Sequence, residues 1–220
     1  MIVASRKDLN EAIKWSKKNS PVAFFVLSMN GKWGVPGENP ENIVSAFKRL
    51  WPDLRSFLST QAIMNYADGG RIRPSELDFN YPQQHIKAQI QRDFFDLITL
   101  ITEHLDAVED YSFRESYCRE MDRLFIWDCG SSQIWKGTEI YAIDKQGRYE
   151  DAYKTYKRTA GPSEKTATMY AQALLDRVDL DRAEEVLGPY RGSLDKDVQA
   201  RIQLLDRLKA VKSNHAGNIT

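Results

Sequence analysis

Residues 146–152, Gln-Gly-Arg-Tyr-Glu-Asp-Ala, recur in altered form as residues 177–183, Arg-Val-Asp-Leu-Asp-Arg-Ala. Both segments lie within the stretch Ser131–Lys212, and the step from Ala152 to Ala183 is 31 residues. Because a step of this size accommodates two helices and a turn, the sequence predicts two helical hairpins in tandem.

Apolar residues at helical spacing follow each of the two turns. Gly147 ends a helix easily in the left-handed conformation, whereas Val178 stands at the same place in the second copy. The apolar and aromatic residues that follow are Tyr149, Ala152, Tyr153 and Tyr156 in the first copy and Leu180, Ala183, Val186 and Leu187 in the second. A small side chain such as Ala152 allows two helix axes to approach closely.

The other segments of this stretch are also patterned. Ser132–Lys145 is rich in residues that fit a helix or a strand equally, so both alternatives stay open. Apolar residues at helical spacing predict one helix before the second turn and a final helix over 198–208. The final helix covers the open end of the array, as stacked repeats require.

The step between the copies and the small residue at the hairpin contact resemble the tetratricopeptide-repeat family, whose unit is a helix–turn–helix of about 34 residues. The resemblance covers the last third of the chain. It implies that the hairpins stack into a curved surface that binds a helix or an extended peptide of another protein. The alternative is an ordinary helical hairpin within a larger bundle.

The sequence of residues 1–70 predicts a small domain element that contains both helix and strand. Ser5 and Asp8 have the spacing of a capping box, which starts a helix. Pro21–Ser28 is a short, continuous apolar run, which is typical of a strand buried on both faces. Asn39-Pro40 predicts the start of a further helix, and Trp51-Pro52 predicts its end or a kink.

The middle of the chain predicts a helical hairpin. Gln83–Val108 has a broad apolar face typical of a bundle core, and Phe113–Trp127 predicts a second helix. We therefore predict an α/β element over 1–70, a helical hairpin over 71–130, tetratricopeptide-like repeats with a capping helix over 131–212, and a flexible tail over 213–220. The predicted fold class is mainly α, with a small N-terminal α/β element.

The composition excludes several classes of protein. Basic and acidic residues number 31 each, so no net charge attracts nucleic acid or an acidic membrane. Nucleic acid is therefore a disfavoured partner, although it stays open. Two cysteines give neither a disulfide framework nor zinc-ligand spacing. No apolar run is long enough to span a membrane and no signal-peptide core is present, so we expect a soluble, cytoplasmic protein.

Two features of the sequence suggest the alternative that the chain is an enzyme acting on nucleotides or nucleic acid. Asn30–Gly37 is a glycine-rich loop, but Trp33 follows Lys32 where a phosphate-binding loop has serine or threonine. The carboxylates considered as magnesium ligands are Glu115, Glu120, Asp122, Asp128, Glu139 and Asp144. Turns and solvated helix faces explain both features more simply. The sequence therefore predicts no catalytic residue, no metal ligand and no cofactor.

The favoured function is a non-enzymatic adaptor that binds a partner helix or peptide through its helical repeats. Tyr153, Lys154, Lys157 and Arg158 form a basic and aromatic face, which suits an acidic segment of a partner protein. Trp33 is a further candidate contact, because tryptophan is enriched at binding hot spots. The remaining alternative is a structural subunit of a large assembly such as a viral particle, which the balanced charge and the aromatic content permit.

Overall fold

The structure, a computed structural model, describes residues 5–29, 40–64, 71–73, 76–105, 109–125, 129–159 and 161–217. Most of these described residues belong to ten α-helices: α1 (Arg6–Asn19), α2 (Pro21–Met29), α3 (Pro40–Met64), α4 (Gln84–Glu103), α5 (Tyr111–Leu124), α6 (Cys129–Lys145), α7 (Tyr149–Arg158), α8 (Glu164–Asp176), α9 (Leu180–Leu187) and α10 (Lys196–Gly217). A 3-10 helix, Gly188–Tyr190, follows α9. Within the described ranges there is no strand, and one isolated bridge pairs Ile72 with Phe125. The predicted mainly α class is confirmed.

The helices form two compact units, and each is described by itself. The N-terminal unit consists of Met1–Asp110 and Glu120–Trp127, and the C-terminal unit consists of Tyr111–Arg119 and Asp128–Thr220. Helices α1–α4 therefore belong to the N-terminal unit and α6–α10 to the C-terminal unit, whereas α5 contributes residues to both.

The predicted N-terminal strand is wrong, because Pro21–Met29 forms helix α2. Ser20 begins this helix: its Oγ accepts a hydrogen bond from the Ala23 N–H at 3.2 Å. Pro21 suits the first helical position because its missing N–H would have had no partner there. Helix α2 packs against α1, α3 and α4, and its residues Val22, Ala23, Val26 and Leu27 are buried. A continuous apolar run does not distinguish such a helix from a buried strand, and the predicted α/β element is not supported.

Helix α3 continues through Pro52 instead of ending there. Proline lacks the N–H that would bond to the carbonyl four residues earlier, and it costs a helix interior about 3 kcal/mol. On either side of it, one face of α3 is buried continuously, through Phe47, Trp51, Leu54 and Leu58. Burying one such side chain contributes about 1.5–3 kcal/mol, so packing outweighs the local cost of the proline.

The structure gives the outcome of three further sequence predictions. The capping box of α1 is present, since Ser5 Oγ accepts from the Asp8 N–H at 3.2 Å and Asp8 Oδ2 accepts from the Ser5 N–H at 3.0 Å. The segment Ser132–Lys145, which fitted helix and strand equally, belongs to helix α6. Helix α10 extends to Gly217, beyond Lys212.

Candidate functional site

The two predicted turns of the C-terminal unit have the same backbone geometry. Gly147 has φ of 77° and Val178 has φ of 60°. The N–H of the next residue donates to the carbonyl of Ile143 at 3.3 Å in the first turn and to that of Leu174 at 2.9 Å in the second. This pattern, in which a left-handed residue closes a helix, is a Schellman motif. The two copies therefore correspond in structure as well as in sequence.

Helices α6 and α8, the first helices of the two hairpins, pack side by side. Gly137 of α6 permits this packing, because a Cβ at that position would lie 2.9 Å from Met169 Sδ and 3.2 Å from Thr166 Cα. Near the other end of the pair, Lys145 forms an ion pair with Asp176. Helix α10 packs on both α8 and α9, so it covers the second hairpin.

The interior of the hairpins is mainly apolar. Ala152, which the sequence placed at a helix contact, is fully buried, as is Ala183. Tyr156 and Tyr170 are also buried, and their ring centroids lie 5.2 Å apart. Burial raises the pKa of Tyr156 to about 12 and raises that of Tyr170 as well. Both phenols are therefore neutral packing groups at physiological pH.

A groove of about 250 Å³ opens between α6, α8 and α10. Its apolar lining residues are Ile134, Met169 and Val198, and its polar lining residues are Lys165, Thr168, Asp195, Asp197 and Arg201. The groove thus combines apolar side chains with charges of both signs. Small-molecule sites usually have volumes of roughly 300–1,000 Å³, so this groove suits one or two side chains of a partner chain better than a cofactor.

The predicted contact residues of α7 have two different environments. Tyr153 donates a hydrogen bond to Glu185 of α9 at 2.7 Å, and Lys157 forms an ion pair with the same carboxylate. Hydrogen bonds from Lys157 and then Tyr153 lower the pKa of Glu185. Lys154 and Arg158 are exposed and form no ion pair with any residue that the structure describes. Of the four, these two are the ones available to a partner without loss of an existing contact.

Trp33 and the glycine-rich loop around it lie outside the described residues, as does Asp128. The structure therefore gives no position for the predicted tryptophan contact or for a site at that loop. The candidate surfaces that can be described are the groove and the exposed part of α7.

Two of the predicted magnesium ligands, Glu115 and Glu139, form ion pairs with basic side chains. Glu115 and Glu139 are buried, and Arg119 pairs with both, with its Nε 3.0 Å from Glu139 Oε1. Burial opposes ionisation of Glu115, but hydrogen bonds from Gln146 and Arg148 hold its pKa below the usual value. These contacts give the carboxylates internal counter-charges.

Two further candidate carboxylates also lie beside basic side chains. Glu120, in the N-terminal unit, lies 3.2 Å from Arg55. Asp144, in the C-terminal unit, lies 3.3 Å from Arg177 Nε, and burial raises its pKa despite this neighbour. Across the ranges that the structure describes, no group of three or more histidine, cysteine or acidic side chains is arranged to hold a metal ion.

The binding role of the groove residues was not predictable from the sequence alone. Ile134 lies in the segment whose secondary structure stayed open, and no sequence motif includes Lys165 or Arg201. The repeat spacing is the sequence signal that could have located the groove, because equivalent helices of stacked hairpins line the same face of the array. The partly exposed apolar residues of α6 and α8 mark that face.

In the described part of the chain, no helix is both long and apolar enough to cross a membrane. Comparison of the chain with protein-family models, with curated proteins and with solved structures gave no match. Function is therefore inferred from the geometry and chemistry of the chain itself.

Proposed function

We propose that the C-terminal unit is a tetratricopeptide-like interaction module, and that it binds an extended peptide of a partner protein in the groove between α6, α8 and α10. The supporting observation is the repetition of the two hairpins in register, which sets α6 beside α8 and leaves a groove with α10. Arrays of stacked helical hairpins use such surfaces to bind partners. The protein acts as an adaptor on this proposal.

The side chains of the groove define the peptide. Ile134 and Met169 are partly buried, so each offers exposed apolar surface that a leucine-sized or methionine-sized anchor covers. Lys165 and Arg201 supply positive charge beside this surface, and Asp195 and Asp197 supply negative charge, with Arg201 Nη1 3.7 Å from Asp197 Oδ1. A peptide with one apolar anchor between an acidic and a basic residue complements this arrangement.

Helix α7 offers a second, weaker contact through Lys154 and Arg158. An acidic flank of the peptide would pair with these two exposed cations. Tyr153 and Lys157 contribute less, because a partner would first have to displace Glu185. Exposed ion pairs contribute about 0–1 kcal/mol each, so this face affects the rate of encounter more than the affinity.

To test this, the full-length chain is used as bait to select peptides from a displayed library. The affinity of the best-binding peptide is then measured by fluorescence anisotropy. Ile134→Glu places a charge among the apolar groove residues, and we expect binding to weaken by about tenfold or more, equivalent to about 1.4 kcal/mol. Leu204→Glu is the matched control, since Leu204 of α10 is 39% exposed and does not line the groove.

A double variant, Lys154→Ala with Arg158→Ala, examines the α7 face, and circular dichroism verifies the folding of every variant. Loss of affinity in Ile134→Glu alone, with Leu204→Glu unchanged, supports the groove. Loss of affinity only in the α7 double variant rejects the groove and moves the contact to α7. Failure of the folded chain to select any peptide rejects the adaptor function.

A further inference from the structure

A second cavity lies in the N-terminal unit, and the charged residues among its described lining residues are acidic. Its volume is about 390 Å³, which falls within the roughly 300–1,000 Å³ of small-molecule sites. The junction of α1 and α2, the second half of α3 and the segment 78–80 form its walls. The charged residues among the described lining residues are Asp53 and Asp78, and no lysine, arginine or histidine is among them.

The wall that carries Asp78 is fixed by the buried side chain of Gln61. Gln61 Nε2 donates to the Asp78 carbonyl at 3.3 Å, and its Oε1 accepts from the Asp78 N–H at 2.9 Å. The carboxylate of Asp78 in turn accepts from the Asn80 N–H at 2.8 Å, where Asn80 has φ of 55°. Asparagine tolerates this left-handed conformation better than most residues. The fold therefore sets the position of the Asp78 carboxylate before any ligand binds.

Both carboxylates of the cavity retain binding capacity. Lys87 Nζ lies 3.0 Å from Asp78 Oδ1, the oxygen that also accepts from Asn80, whereas no described residue donates a hydrogen bond to Oδ2. The hydrogen bonds from Asn80 and then Lys87 lower the pKa of Asp78, which is ionised at neutral pH. Asp53 is exposed, and no residue in the described ranges forms an ion pair with it.

Aromatic and apolar side chains complete the lining. Phe57 is partly buried and stacks on Phe79, with ring centroids 5.1 Å apart and an interplanar angle of 21°. Met64 also lines the cavity and is 66% exposed. A positive charge is attracted to an aromatic ring, and apolar side chains cover the methylene stem of a long cation.

We propose that this cavity binds an organic cation, a guanidinium or ammonium group on an apolar stem. The charged group pairs with Asp53 and Asp78, and the stem lies against Phe57 and Met64. Two sources offer this chemistry: a free small molecule and an arginine or lysine side chain of a peptide. The proposal is independent of the peptide groove, because it rests on residues of the N-terminal unit alone.

The test measures ligand binding to the full-length chain by isothermal titration calorimetry. The cationic probes are butylguanidinium, for a free small molecule, and N-acetyl-argininamide, for a peptide side chain. Their neutral counterparts are butylurea and N-acetyl-citrullinamide, in which a urea group replaces the guanidinium on the same stem. We expect each cation to bind at least about tenfold more tightly than its neutral counterpart, because charge-assisted hydrogen bonds are the stronger ones.

Asp53→Asn keeps the shape of the cavity and removes one charge, so we expect the cations to bind about 3- to 10-fold more weakly. Asp96→Asn is the matched control, because Asp96 is an exposed aspartate of α4 that does not line the cavity. Tighter binding of argininamide supports a peptide source, and tighter binding of butylguanidinium supports a small molecule. The proposal is overturned by equal affinity for cation and urea, by wild-type affinity in Asp53→Asn, or by absence of cation binding at millimolar concentration.

Discussion

Replacing Val178 by glycine is expected to stabilise the protein. Val178 has φ of 60°, and this conformation costs an L-residue about 1–2 kcal/mol and is rarest for β-branched side chains. The side chain is 55% exposed, so its removal forfeits little buried surface. The turn's hydrogen bonds, from the N–H groups of Val178 and Asp179, go to backbone carbonyls at 3.1 and 2.9 Å and are retained.

The size of the effect follows from two opposing contributions. Relief of the left-handed strain stabilises the folded state, whereas the greater freedom of glycine in the unfolded chain costs about 0.5–1 kcal/mol. The net gain for Val178→Gly is about 0.5–1 kcal/mol, which for a chain of this length raises the Tm by about 1–4 °C. Val178→Asn is expected to gain at least as much, because asparagine tolerates the conformation and leaves the unfolded chain less free than glycine does.

Urea unfolding and calorimetry of the full-length chain measure these differences. Gly147→Ala is the reciprocal variant. Gly147 has φ of 77°, and an added Cβ would meet no side chain or backbone atom of a distant residue within 4 Å, so a loss of about 1 kcal/mol is expected from the backbone alone. Gly192→Ala is the control, since that glycine has equal space and no positive φ, and a gain of about 0.4–1 kcal/mol is expected. Unchanged or lower stability of Val178→Gly, with a neutral Gly147→Ala, would refute the left-handed geometry of both turns.

Two further substitutions examine the packing and the charges of the C-terminal unit. Gly137→Ala is expected to lower the free energy of unfolding, measured with urea, by about 1 kcal/mol. Overpacking against α8 costs about 1–3 kcal/mol, and the higher helix propensity of alanine offsets only about 1 kcal/mol of this. A more stable variant would contradict the close packing of α6 on α8. Hydrogen bonds from Arg191 and then Lys209 lower the pKa of Glu184 to about 2, so the stability from these contacts is present above the unfolded pKa of about 4.3 and is lost as the pH falls toward 2. Glu184→Gln is therefore expected to lower the free energy of unfolding by about 1 kcal/mol at pH 7, a small value because the carboxylate is partly exposed. At pH 2 the substitution is expected to change it by almost nothing. A difference in unfolding free energy that does not change with pH would contradict this prediction.

Features that depend on a few neighbouring residues could be predicted from the sequence. The capping box at Ser5 needs only Asp8, three residues later, and the structure has both of its hydrogen bonds. The turn at Gly147 needs a residue that adopts positive φ, and glycine supplies it. The repeat spacing then located the equivalent turn at Val178, although valine is a poor residue for that conformation.

Features that depend on distant parts of the chain could not be predicted in this way. Pro21–Met29 is a helix because α1, α3 and α4 surround it, and the sequence of the segment does not contain that information. Pro52 remains inside α3 for a similar reason, since buried residues on both sides of it outweigh the local cost. The groove required the joint placement of α6, α8 and α10, and Glu185 engages two of the predicted contact residues only because α9 lies beside α7.

The weak sequence similarity of the two hairpins has a physical reason. Lys145 of the first copy and Asp176 of the second occupy equivalent positions, and they form an ion pair across the stacked helices. Identical copies would place two lysines or two aspartates against each other there, and like charges at such short distance destabilise a fold. Glu150 also pairs with Arg182, whose equivalent in the first copy is Asp151. Stacking in register therefore favours opposite charges at equivalent positions where the copies touch. The sequences of the two copies diverge at these positions, and the repeat stays recognisable only at the turns and the small buried residues.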